Sequence, residues 1–370
     1  MKFITFTLKS VTPLFMKGAY DNKCEFRASS IKGCLRYWFR VIYPGRLEEE
    51  SRLFGSTASR SPLIVRASEL SPIKEGNLHY DANYEDVKSG IGYLGYGIID
   101  DEKKLSQQSC YQHKSTFTLQ FGFNRSLSHD DKITILNAFW ALLMFGGLGA
   151  KNRRGFGSML VVDDPVKEET KLLSKLPSFQ YKDYQSWESA VKRFLRKLAI
   201  DNDPIDHTAF SKQMRLLIRP EQGHPLELLE KIGNNFMNFR KESYPEDRHV
   251  MVEFLKNDIL PEDSPERASF GLPHQYFFKD SKKGSVNYFC GNTEARRASP
   301  LFLHIQGLTD NLACGVFLFL PTKGLIPDGK KLTMSKEGDK KTKEVDPPDF
   351  SGVNKYLNYL VDIGWKEISI

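Results

Sequence analysis

The sequence has no apolar run approaching the ~20 residues that a bilayer-spanning helix needs, which excludes such a helix. The opening stretch, MKFITFTLKSVTPLF, has polar residues between its apolar ones, so no signal-peptide core forms there and the segment alternates like a strand. A soluble, cytoplasmic protein is expected. Cysteine is scarce: five residues, at 24, 34, 110, 290 and 314, an odd number with no CxxC spacing. That excludes a disulfide framework and a zinc ribbon, and reduced thiols are expected. Neither GxxxxGK[ST] nor a complete GxGxxG occurs, which excludes the two common nucleotide-phosphate loops. No serine–histidine–acid, cysteine–histidine or paired-carboxylate pattern is legible, so no catalytic residue, metal ligand or cofactor is assigned.

What is present is enough for more than one core. At 370 residues, with 40% apolar and 12% aromatic content, the chain reads as globular and two domains are the natural expectation. The formal charge of +7, from 53 basic and 46 acidic residues, is compatible with a polyanionic partner.

Periodicity organises the first third as a strand over 3–11, a helix capped by Ser29 or Ser30 and stopped by Pro44-Gly45, and strands over 62–66 and 115–123 separated by a Gly- and Tyr-rich loop. Asp130 or Asp131 opens an apolar helix to Phe145, and GFGSMLVV resumes strand character. The order is β-α-β-β-α-β. It recurs further on: a strand at 214–220, a helix at 225–240, strands at 298–307 and 313–321, a helix from Ser351 to Ile363 and a strand at 365–370. An α+β protein of two tandem ferredoxin-like (RRM-like) domains is expected. One would cover 1–165 and carry a Gly-rich loop; a linker or helical segment covers 166–210; the second domain covers 211–370. A lysine-rich loop near 328–350, GKKLTMSKEGDKKTKEVDPPD, is expected to be mobile.

Two stretches carry charge in a pattern. In ASSIKGCLRYWFRVIYP (28–44), Ile31, Leu35, Trp38 and Ile42 form an apolar stripe, and Lys32, Arg36 and Arg40 form a second stripe of positive charge only. No acid in that helix relieves the repulsion, and an extended phosphate backbone could; a solvated helix face is the plainer alternative. In FGGLGAKNRRGFGS (145–158), five glycines accompany Lys151, Arg153 and Arg154. The stretch follows a helix, whereas nucleotide loops precede one. Gly146 reads as a helix C-cap, with the three cations available to complement the helix dipole. Gly149, Gly155 and Gly157 are left over, and the reading offered for them is a loop packed along a nucleic-acid backbone with the three cations on phosphates. Arg296 and Arg297, in EARRASPL, could form a comparable basic edge. Arg60 falls in a plain loop, His129-Asp130 has no metal-binding partner nearby in sequence, and His274 reads as a core histidine or a base-stacking one.

FRASSIKGCLRYWFR, LFGS, GGLGAKNRRGFGS, FGLP and RRASPL together resemble the RAMP superfamily of CRISPR proteins, most nearly the first subunit of the Cmr (type III-B) effector. Cys34 and Phe39 depart from the expected pattern. The resemblance implies tandem ferredoxin-like domains and a subunit near the end of a ribonucleoprotein that holds the 3′ part of the guide RNA. The implied partners are guide (CRISPR) RNA, complementary target RNA and other Cmr subunits, with no membrane. Carried onto this sequence, the implied RNA contacts are Lys32, Arg36, Arg40, Lys151, Arg153 and Arg154, with Arg27 as a lesser candidate. The role implied is non-catalytic. The alternatives are a metal-independent endoribonuclease that processes guide RNA, with His113 or His129 as its base, and a scaffold that docks an acidic protein.

Overall fold

The computed structural model describes residues 3–18, 23–70, 75–79, 89–100, 105–163, 170–220, 222–257, 259, 261, 264–276, 284–290, 293–336 and 342–369. Alternation of Ile4, Phe6 and Leu8 with Thr5, Thr7 and Lys9 makes β1 (Phe3–Ser10) a strand with one buried face. The chain continues through α1 (Ala28–Ile42), α2 (Leu47–Phe54), β2 (Leu63–Leu70), β3 (Glu75–His79), α3 (Gly90–Leu94), β4 (Ile99–Asp100), β5 (Leu105–Tyr111), β6 (Thr116–Phe123), α4 (His129–Phe145) and β7 (Met159–Asp163). After α5 (Thr170–Leu173) and α6 (Tyr184–Leu198) come β8 (Arg215–Ile218), α7 (Pro225–Glu242), α8 (Pro245–Asn257), β9 (His274–Tyr276), β10 (Gly284–Cys290), β11 (Thr293–Ala295), β12 (Leu301–Gly307) and β13 (Ala313–Phe319). The last elements are β14 (Leu332–Lys336), β15 (Thr342–Val345), α9 (Ser351–Asp362) and β16 (Lys366–Glu367).

The molecule is a mixed α/β protein with antiparallel sheets. One four-stranded sheet has the order β2-β6-β1-β7 and another the order β12-β13-β8-β16. The strand–helix–strand–strand–helix–strand succession is β1-α1-β2-β6-α4-β7 in the first and β8-α7-β12-β13-α9-β16 in the second. In both, the second, third, first and fourth strands of that succession lie side by side. A three-stranded sheet, β3-β5-β4, is inserted before β6; in a further sheet β10 pairs with β9, with β11 and with β14 of the β14–β15 hairpin.

The two halves share their interior. Phe302, Val316 and Leu318 join the core under β1, α1 and α4, whereas Val11, Phe15 and Phe156 pack with Leu217, Leu229 and Phe317. This explains α4, which is buried from Ile135 to Phe145: it packs on α1 and on β12 of the other half, and so has no wet face. Trp187 and Phe194 of α6 extend the same core, with Phe194 lying 4.3 Å from the Trp140 ring centre.

Several expectations need correcting. Helix α1 starts at Ala28 with Arg27 at its N-cap position and no side-chain cap, so neither Ser29 nor Ser30 caps it. Helix α4 is capped by Ser128, not by Asp130 or Asp131; Ser128 Oγ accepts from the Asp131 N–H, and Asp131 accepts from the Ser128 N–H in return. Its other carboxylate bonds go to Arg52, at 2.6 and 3.0 Å, which holds Asp131 down at about 2. The lysine-rich loop is largely a hairpin: Leu332, Met334 and Val345 are buried beneath β14 and β15, and alternation around them outweighs the lysines. Residues 337–341, like 164–169 of the charged segment and parts of the Gly- and Tyr-rich loop, lie outside the described residues. Among the described residues no helix is long and apolar enough to cross a membrane.

Candidate nucleic-acid interface

The glycine-rich loop is latched to the protein on both sides. Ala150 N–H donates to the Phe15 carbonyl at 2.8 Å and Gly157 N–H to the Pro13 carbonyl at 2.9 Å. On the other side, Leu303 N–H of β12 donates to the Arg153 carbonyl at 3.0 Å, so the loop bridges the halves. The glycines serve this latch. Gly149, Gly155 and Gly157 have φ of +77°, +83° and +69°. An added Cβ would lie 2.4 Å from the Phe15 carbonyl oxygen at Gly149, 2.6 Å from Leu229 at Gly155 and 1.9 Å from the Leu148 carbonyl oxygen at Gly157. Gly155 and Gly157 are buried, so the close approach expected of an RNA backbone is made by the protein's own chain. Gly146 does end α4, but at φ −118° it is not a left-handed cap; its missing side chain leaves room for the Trp38 indole.

The other motifs meet the loop's cations at this junction. Arg153 lies with its guanidinium 4.4 Å from the Phe302 ring centre and 5.3 Å from that of Tyr37, and donates to the Ser299 carbonyl. Leu272 of FGLP pairs with Arg297 of RRASPL through two backbone hydrogen bonds of 2.8 and 3.0 Å. Arg297 is braced by the carbonyls of Leu325 and Asp206, at 2.7 Å each, while Arg296 is exposed.

Three adjoining cavities run along this junction, and Arg153 lines all of them. One, of about 280 Å³, lies between Ser30, Gly33 and Tyr37 of α1 and Gly147 and Asn152 of the loop. The next, about 440 Å³, is lined by Arg40, Arg296 and Arg297 with His207 and Thr208. The third, about 380 Å³, holds Lys151, Arg154, Arg240 and His274. Among the described residues no carboxylate lines any of the three. The cations feel this. Burial, then the neighbouring Arg154 and Arg296, lowers Lys151 below its usual range. Burial likewise lowers Arg297 and brings Arg154 down to about 10, with Arg240 adding to the effect.

The structure thus brings together Arg40, Lys151, Arg153, Arg154, Arg296 and Arg297, drawn from three separate stretches. Arg27, Lys32 and Arg36 do not line the furrow. Arg27 lies against Ser30 at 3.2 Å, and Lys32 is lowered by burial and by Arg36. The uniformly positive stripe on α1 is also not uncompensated as expected: buried Glu50 of α2 accepts from Arg36 at 2.6 Å and lies 3.6 Å from Arg40. Sequence reasoning missed Glu50 and Arg240. The signal for Arg240 was an arginine continuing the stripe of Ile232 and Phe236 on α7.

Residues 7–160 match the model of the RAMP superfamily. Over 178 residues the chain is 32% identical to the CRISPR system Cmr subunit Cmr1-2 of Pyrococcus furiosus, a match spanning 42% of this chain and 93% of that protein. The chain belongs to the RAMP superfamily, in its Cmr1 branch. The crystal structure of Cmr1 from Pyrococcus furiosus, in its apo form, shares the RAMP fold over 100% of this chain and 99% of its own, with a TM-score of 0.60 at 19% identity. A chain of the type III-B Cmr-beta complex bound to cognate target RNA also shares it, over 97% of this chain and 99% of that one, with a TM-score of 0.51 at 14% identity. Of the stretches that carried the resemblance to RAMP proteins, all but LFGS contribute residues to the furrow.

Proposed function

We propose that this Cmr1 relative is an RNA-binding subunit of a type III-B CRISPR (Cmr) interference complex, built as two tandem ferredoxin-like units that meet at the furrow. It holds the sugar–phosphate backbone of guide RNA, in its 3′ part, or of the paired target, and leaves sequence reading to base pairing. The observation that carries this is the acid-free furrow, where cations from α1, the glycine-rich loop and the segment before β12 converge around Arg153. Kinship with Cmr1 and a fold shared with a Cmr-beta chain support the setting, and the shared strand order of the two main sheets supports the tandem reading.

The test is RNA affinity measured against salt for the assembled complex and for the chain alone. Replacing Arg40, Lys151 and Arg296 by Gln is expected to weaken binding at every sequence and to flatten the salt slope by about one for each phosphate no longer neutralised. An unchanged slope rules the furrow out. The role proposed is non-catalytic: neither His113 nor His129 lines the furrow, and His113 Nδ1 is tied to the Val11 carbonyl at 2.8 Å. Repeat-containing RNA incubated with the protein, with and without EDTA, is expected to stay intact. Site-specific cuts lost in His113→Gln would establish the nuclease instead.

A further inference from the structure

The third cavity of the furrow is lined by two arginines, Arg154 and Arg240, that lie against one aromatic ring. Arg240, on the last turn of α7, is 8% exposed, and its Nε has no partner. Its other guanidinium nitrogens donate to neutral groups, to Tyr93 Oη at 3.0 Å and to His274 Nε2 at 3.3 Å. An arginine can only donate, so His274 Nε2 must be the accepting nitrogen and the ring carries its proton on Nδ1. Arg154 lies against the same ring: both guanidiniums sit 5.4 Å from the centre of the Phe236 ring, and Arg240 also lies 5.2 Å from that of Phe270. Among the described residues no carboxylate pairs with either.

A buried cation left without an anion is costly, and two side by side cost more. Aromatic faces and neutral hydrogen bonds offset part of that cost. The geometry has room for what is missing: the cavity of about 380 Å³ is lined by Arg154, Arg240 and His274 together with Lys151, Arg153 and Arg297. Phe270, Leu272 and Pro273 supply the apolar part of its lining.

We propose that this cavity is a seat for a single phosphoryl group, gripped by the guanidiniums of Arg154 and Arg240 and closed by Lys151. Guanidinium forks match phosphate oxygens, and the lack of any acid in the lining favours an anion over a neutral group. The seat deepens the RNA-binding reading and rests on it for the source of the phosphate. That source is either a terminal phosphomonoester of a bound RNA or one phosphodiester of its backbone.

The test uses the full chain. Inorganic phosphate at about 10 mM is expected to raise the melting temperature above that in chloride of matched ionic strength, by linkage to the folded state. The gain should be lost in Arg240→Gln and kept in Arg40→Gln, which alters the furrow but not the seat. Equal melting in phosphate and chloride for the unsubstituted protein overturns the proposal whatever the variants do. In the second arm, single-stranded RNAs with a 5′-phosphate, a 3′-phosphate or hydroxyl ends are compared by fluorescence anisotropy. Tighter binding of one phosphorylated RNA by at least about fivefold, abolished in Arg240→Gln, assigns the seat to a terminal monoester. A similar weakening of all three RNAs in Arg240→Gln assigns it to a backbone phosphodiester. No change in any of the three sinks the seat even where RNA still binds. Protection by inorganic phosphate without any RNA binding keeps the seat and removes the RNA reading.

Discussion

Adding one methyl group has opposite consequences at two glycines of the interface. Gly33 lies on the exposed face of α1, and a Cβ built there meets nothing within 4 Å. Gly33→Ala therefore removes backbone freedom from the unfolded chain without a clash and is expected to stabilise the protein by up to about 1 kcal/mol, seen as a raised melting temperature. Gly157 has φ +69° and its missing Cβ would sit 1.9 Å from the Leu148 carbonyl oxygen. Gly157→Ala must break the loop's own closure, in which Leu148 N–H donates to the Gly157 carbonyl at 2.9 Å, and is expected to cost upwards of about 2 kcal/mol. A melting temperature unchanged by Gly157→Ala would mean that the latch is not as drawn. The density of glycine marked this loop in the sequence, but not what the glycines approach. Their neighbours, Pro13, Phe15, Leu229 and Leu303, lie far away along the chain, so the sequence pointed to a missing partner where the partner was the protein itself.

Elements were more legible than their company. The stripe of Ile31, Leu35, Trp38 and Ile42 places α1 correctly, because all four are buried, and Ile4, Phe6 and Leu8 do the same for β1. The β14–β15 hairpin was hidden because its charged flanks dominate the composition, although Leu332 and Met334 alternate as a strand requires. The acid opposite α1 was hidden for another reason: Glu50 belongs to the next helix, and only the turn between α1 and α2 folds it under Arg36 and Arg40. The pairing leads to a prediction. Glu50 is buried, so its carboxylate neutralises two arginines at short range while itself contributing little to the outer surface. Glu50→Gln removes that neutralisation and leaves the cations in place. RNA affinity should rise and its dependence on salt should steepen, while stability falls by about 1–3 kcal/mol through loss of the buried charge-assisted hydrogen bond from Arg36. Weaker binding in Glu50→Gln would mean that the glutamate positions Arg40 for RNA rather than competing with it.

At the scale of the whole molecule, the two halves are joined by groups that acid can attack. His304 on β12 is 1% exposed, and its Nδ1–H donates to the Gly146 carbonyl at 2.6 Å, where α4 runs into the glycine-rich loop. Ser158, just before β7, sets its Oγ 3.2 Å from the same Nδ1 and accepts from the Ile305 N–H at 3.2 Å. Burial in this seam brings the His304 imidazole down to about 4, against about 6.5 in an unfolded chain. Between those values the unfolded chain binds a proton that the folded one refuses. Stability therefore rises with pH from about 4 to about 6.5 and is lost as pH falls through that window. A depression of this size corresponds to on the order of 3 kcal/mol at pH 4 relative to pH 7. His274, His113 and His207 are lowered by burial as well and slope the same way. The contribution of His304 is isolated by difference: urea unfolding of the unsubstituted protein and of His304→Gln from pH 7 to pH 4 should give curves that converge as pH falls, since the variant has no proton to refuse. Parallel curves would place the acid sensitivity elsewhere. Convergence would locate it at the seam that also holds the glycine-rich loop in register, so that RNA affinity per folded molecule stays constant while the folded fraction falls.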